Sequence, residues 1–74
     1  MDILLFGAVA EKAGASILHL EATSVDALRQ ALIARIPDLA HMRYAIAVDR
    51  QVVHHDRPLH GGEEIAVLPP FAGG

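Results

Sequence analysis

At 74 residues the chain has room for one domain with one thin core, and without cysteine to staple it that core must come from the 53% of residues that are apolar. Six basic residues against nine acidic ones leave a net charge of −3, which excludes the clustered basic surface of a nucleic-acid binder, and no apolar run approaches the ~20 residues of a membrane span. The missing thiols fit a reducing compartment and Met1-Asp2 lacks the basic start of a signal peptide, so a soluble cytoplasmic protein is expected.

Ile3-Leu4-Leu5-Phe6 is a continuous apolar run ending at Gly7, the pattern of a strand lying central in a sheet. Residues 8–13 favour helix and stop at Gly14, which predicts one or two turns closed by a glycine cap. Residues 16–21 alternate, with Leu18 and Leu20 on one face and His19 and Glu21 on the other, as in a half-buried second strand antiparallel to the first. Thr23 or Ser24 then caps the main helix, residues 25–36, in which Val25, Leu28, Ala31, Leu32 and Ile36 recur at helical spacing and Asp26 sits in the first turn. Pro37 ends it, because the residue before proline avoids the α region.

Residues 38–43 read as a connection. Residues 44–48 form a third strand, Asp49-Arg50-Gln51 a turn, and residues 52–54 a short fourth strand. Turn chemistry over residues 57–63 sets Leu59 beneath it as a core plug, and residues 64–68 make a last strand with Ile65 and Val67 facing one way. The order predicts an α+β domain, residues 1–68, whose mixed sheet is crossed by one main helix and whose first and last strands pair centrally. One helix covers one face of such a sheet, so the other is expected to carry an uncovered apolar patch, a docking surface.

Residues 69–74, Pro69-Pro70-Phe71-Ala72-Gly73-Gly74, then form an extended tail leaving from the middle of the sheet. Two prolines cannot donate to a ladder and have φ set in advance, so the chain must run out of the sheet at low ordering cost. Phe71 offers one apolar anchor and Ala72 little bulk, while Gly73 and Gly74 present the slimmest carboxylate a chain can offer, able to thread a narrow tunnel. At ~3.3 Å per residue that carboxylate reaches about 20 Å from the body.

Other constellations carry less. His54-His55-Asp56 with His60 invites a metal reading, but neighbours on a strand point to opposite faces and no metal site is expected. Glu63-Glu64 follow a Gly-Gly turn and are read as solvated charges, and Gly61-Gly62 lack the Lys-Ser/Thr of a phosphate loop.

The run Leu5-Phe6-Gly7-Ala8-Val9-Ala10-Glu11-Lys12-Ala13-Gly14, the helix start Ser24-Val25-Asp26-Ala27-Leu28, the pair Ala47-Val48, the turn Leu59-His60-Gly61-Gly62-Glu63-Glu64-Ile65 and the Pro69-Pro70-Phe71-Ala72-Gly73-Gly74 end resemble, over the whole chain, the MoaD family. These are the small, sulfur-carrying subunits of molybdopterin synthase. Ala10, where the family often has arginine, and Asp49, where it often has asparagine, depart from the pattern. The resemblance implies a ubiquitin-like β-grasp fold. It also implies that an E1-like adenylating enzyme using ATP and Mg²⁺ activates the Gly74 carboxylate, the chain itself holding no cofactor. A thiocarboxylate at Gly74 then donates sulfur to cyclic pyranopterin monophosphate inside the large subunit, in a hetero-oligomer expected to be a heterotetramer. Gly74 would be the reacting residue, with Pro69, Pro70, Phe71, Ala72 and Gly73 held by the partners. A sulfur carrier for thiamine or cysteine biosynthesis, or a ubiquitin-like modifier of lysines, would share the Gly-Gly end.

Overall fold

The computed structural model describes residues 1–70. Strand β1 (Asp2–Leu5) leads into helix α1 (Gly7–Ala13), which the left-handed Gly14 closes at φ 71° by donating its N–H to the Ala10 and Glu11 carbonyls. Strand β2 (Ile17–His19) returns antiparallel to β1, with Ile3 opposite Leu18. Helix α2 (Val25–Arg35) crosses to the far half, where strands β3 (Ala45–Val48) and β4 (Gln51–Val52) form an antiparallel pair. The last strand, β5 (Ile65–Leu68), slots between β1 and β3, parallel to the first and antiparallel to the second. The sheet order β2-β1-β5-β3-β4 puts β5 at the centre, as expected for the ubiquitin-like β-grasp fold.

Period-two alternation sorts the side chains. Ile3, Leu5, Leu18, Ile46, Val48, Ile65 and Val67 face α2, which answers with Val25, Leu28 and Leu32 and, just past its end, Ile36. Val9 of α1 and Leu59 beneath its turn close the ends of this layer.

Two local readings are corrected. Residues 38–43 are no simple connection: Pro37–His41 forms a 3₁₀ helix that buries Leu39. Proline at its first position supplies a preset φ, and the apolar Leu39 supplies the reason to fold back. The fourth strand begins a residue earlier than residues 52–54 and is shorter, because the preceding turn uses only Asp49 and Arg50, at φ 51° and 69°. Both central residues left-handed is the geometry of a two-residue hairpin loop, so Gln51 is already in the ladder opposite Val48.

The N-terminus of α2 is capped twice. The Ser24 hydroxyl accepts from the Ala27 N–H at 3.1 Å, and the Asp56 carboxylate accepts from the Asp26 N–H at 2.9 Å. Around this cap the backbone of Arg57 and Leu59 bonds to Val25 and Thr23, each at 2.9 Å, strapping the segment before β5 to the helix start.

Candidate functional site

Because β5 is the central strand, its end leaves the body between two neighbours rather than along an edge. On the β1 side, the Phe6 N–H donates to the Val67 carbonyl at 3.1 Å, and Gly7 lies directly against Pro69. A Cβ built on Gly7 would stand 3.3 Å from Cγ of Pro69, a tight contact that the ring would have to yield to, and Gly7 has φ +58°, so both backbone conformation and space favour glycine there. From sequence, Gly7 ends a strand; only the register of β1 with β5 shows that it seats the root of the tail. On the β3 side, Pro70 joins Arg29, Ile33, Leu39, Met42, Arg43 and Tyr44 around an open groove of about 530 Å³. Pro69 and Pro70 are both exposed. Phe71, Ala72, Gly73 and Gly74 lie outside the described residues.

The face of the sheet away from α2 is apolar. The registers align Ile17, Leu4, Ala66, Ala47 and Val52 in one row across all five strands. Leu68 and Ala45 pair in the next row, and Phe6, still extended just past β1, falls on the same side by alternation. Ile17 is 53% and Phe6 45% exposed, the two large apolar side chains most open to water among the described residues. Among the described residues the buried side chains of both helices join the core on the other face, and this face reaches Leu68, the residue before the tail.

The turn entering β5 is held by hydrogen bonds that the sequence alone does not reveal. The Glu63 carboxylate is more than a solvated charge. It accepts from the N–H of His60 at 2.8 Å and of Gly61 at 2.9 Å, and these donors, His60 first, hold it below the ordinary carboxylate range. Glu64 joins the other turn: its N–H donates to the Asp49 carboxylate and its carbonyl accepts from the Asp49 N–H, at 2.9 and 2.8 Å. Its own carboxylate receives Arg50 Nε at 3.3 Å. Asp49, the departure noted above, thus still ties hairpin to β5 with the short acceptor an asparagine would also offer.

At the outer edge of the open face, His19 stands between Asp2 and Glu21 at 3.0 Å from each, and Glu21, which also receives the Met1 ammonium, is held below its usual range chiefly by that ammonium. Among the described residues no three His, Asp or Glu side chains converge to hold a metal ion. No helix of the described residues is long and apolar enough to cross a membrane. At the tail's root the polar side chains are Arg29, Arg43 and Tyr44, a set suited to binding and without a carboxylate or histidine for proton transfer.

The model of the ThiS family matches residues 3–74. The chain is 33% identical to the molybdopterin synthase sulfur carrier subunit of Escherichia coli, over all of this chain and 99% of that one. Among solved structures it matches the complex of subunits 1 and 2 of the molybdopterin-converting factor from Helicobacter pylori, at 25% identity and TM-score 0.71, over 99% of this chain and 96% of that chain. The small archaeal modifier protein 1 of Methanosarcina acetivorans shares the fold at TM-score 0.83 and 22% identity, over 99% of this chain and 94% of its own.

Proposed function

We infer the specific role from one premise: the chain belongs to the ThiS family and is a ubiquitin-like sulfur carrier of the ThiS/MoaD type. The reading is that it serves as the small subunit of molybdopterin synthase. One observation carries it: the tail is rooted on the central strand, beside an open apolar face, so that a single partner can take the face and the tail together. The full-length likeness to the Escherichia coli sulfur carrier subunit supports the same pathway, and the Helicobacter pylori complex supports a large-subunit partner.

In this scheme the Gly74 carboxylate attacks ATP on an E1-like adenylating enzyme, with Mg²⁺, and releases pyrophosphate. A free carboxylate is a poor electrophile, whereas the acyl-adenylate is a good one. Sulfur from a donor then displaces AMP to leave a thiocarboxylate. Inside the large subunit the thiocarboxylate sulfur attacks a side-chain carbon of cyclic pyranopterin monophosphate, which gives up its oxygen substituent; water then cleaves the acyl–sulfur bond and returns the Gly74 carboxylate, and two such transfers complete the dithiolene of molybdopterin. The chain supplies the reacting atom while its partners supply acid–base groups and pocket. Gly73 and Gly74 let the terminus pass a narrow channel, Pro69 and Pro70 lower the ordering cost of entry, and Phe71 and Ala72 meet the channel's walls.

Deleting Gly74, or the substitution Gly73→Tyr, tests this in reconstituted synthase. Loss of sulfur transfer with unchanged far-UV circular dichroism is the expected outcome, and wild-type turnover by either variant would refute the reading. A modifier of lysines would instead leave covalent, mass-shifted adducts on other proteins when wild-type chain and adenylating enzyme are mixed with a lysate.

A further inference from the structure

We propose that Gly7 is a positioning residue for sulfur transfer: its bare surface sets the angle at which the tail leaves β5, so that Gly74 arrives aimed at the reacting centre of a partner. This rests on the carrier reading above. Among the described residues three glycines have positive φ, Gly7, Gly14 and Gly61. A Cβ on Gly14 or Gly61 would meet nothing within 4 Å, so conformation alone accounts for glycine at those two positions. On Gly7 the three atoms nearest to such a Cβ all belong to the Pro69 ring, at 3.3, 3.6 and 3.8 Å. Gly7 is thus set apart by what it touches, and it touches the first residue of the tail.

The sheet does not set that angle by itself. Strand β5 pairs with β3 as far as Leu68, opposite Ala45, and on its β1 side the Val67 carbonyl takes the Phe6 N–H. Pro69 and Pro70 have no N–H with which to continue either ladder. Beyond Leu68 the direction therefore comes from packing, and Gly7 packs there from a fixed base: it opens α1, which the buried Val9 pins to the core and Gly14 closes. Proline rings hold φ, so a tilt imposed at Pro69 is carried outward instead of being absorbed at the next bond. Over the five steps from Pro69 to Gly74, about 16 Å at full extension, a tilt of roughly 10° displaces the carboxylate by roughly 3 Å. A misplacement of about 1 Å at a reacting centre can cost about a hundredfold in rate. The glycine end and the channel walls take up part of the tilt, so the expected loss is nearer to tenfold.

The test uses the full chain loaded chemically as the Gly74 thiocarboxylate, with single-turnover sulfur transfer to cyclic pyranopterin monophosphate followed at varied large-subunit concentration. Gly7→Val should lower the saturated rate about tenfold, while the half-saturating concentration stays within about threefold because the open face is unchanged. Gly14→Val puts a comparable left-handed strain at the other end of the same helix, away from Pro69, and should lose a similar amount of melting temperature with a saturated rate within about twofold of wild type. Pro69→Ala removes the ring that Gly7 meets. It should lower the rate in the wild-type background yet raise it at least about threefold in the Gly7→Val background, a reversal that relief of backbone strain at residue 7 does not produce. A saturated rate for Gly7→Val equal to that of wild type or of Gly14→Val, or no recovery in G7V/P69A, would overturn the positioning role and leave the carrier reading intact. A wild-type thiocarboxylate that transfers no sulfur would overturn both.

Discussion

The two faces of the sheet are made by the same strands and end up with opposite roles. Along β5, Ile65 and Val67 are fully buried under α2, while their neighbours Ala66 and Leu68 are half-buried on the open side. Along β1, Ile3 is fully buried and Leu4 half-buried, and Phe6 ends the run 45% exposed. Each change of face is a single step along these two strands, so their neighbouring apolar residues differ in burial by parity, whereas on β3 the small Ala47 of the open-face row is buried as well. The lesson is a division of labour: the covered face holds the fold, and the open face is apolar without being needed to close a core.

That division can be broken from the largest effect downward. On the covered face, Leu28→Ala or Leu32→Ala leaves a cavity at a position with no exposure and should cost about 2–5 kcal/mol in denaturant unfolding, a large share of the total for so small a domain. At the border, Gly7→Val meets both the positive φ and the Pro69 ring, and a loss of about 1–3 kcal/mol is expected, with altered amide shifts at the end of β5. On the open face, Phe6→Ser and Ile17→Ser should cost no more than about 1 kcal/mol, because about half of each side chain already meets water, yet weaken titration against the large subunit strongly. A core-sized loss of stability from Ile17→Ser would erase the contrast between faces.

The smallest effect concerns pH. Glu63 has its native pKa lowered by backbone donors, so its ionised form stabilises the turn. That stabilisation is present above the unfolded value near 4.5 and is lost as pH falls through the lower native value. Glu63→Gln should therefore show a shallower decline of melting temperature below about pH 4.5 than wild type, and a matching slope in the two proteins would remove Glu63 from the turn's support.

Much of this was legible in residue order. Alternation at Ile65 and Val67 and the helical spacing of Val25, Leu28 and Leu32 announced the core, Gly14 announced its cap, and the α2 cap was narrowed to Thr23 or Ser24, of which the structure uses Ser24, because each signal is local. The features missed are those in which distant residues meet. Gly7 against Pro69 and Asp56 on the α2 N-terminus join positions far apart in sequence, and the Glu63 staple depends on how the turn closes around it. The 3₁₀ helix at Pro37–His41 was hidden for another reason, since five residues are too few to show a period.

The most direct test of the carrier account is the intact mass of the chain purified after co-expression with its adenylating enzyme and a sulfur source. A species about 16 Da heavier, oxygen replaced by sulfur, that reacts with an alkylating agent and is missing when Gly74 is deleted, is the predicted result. An unchanged mass under conditions where the enzyme demonstrably adenylates the chain would contradict it.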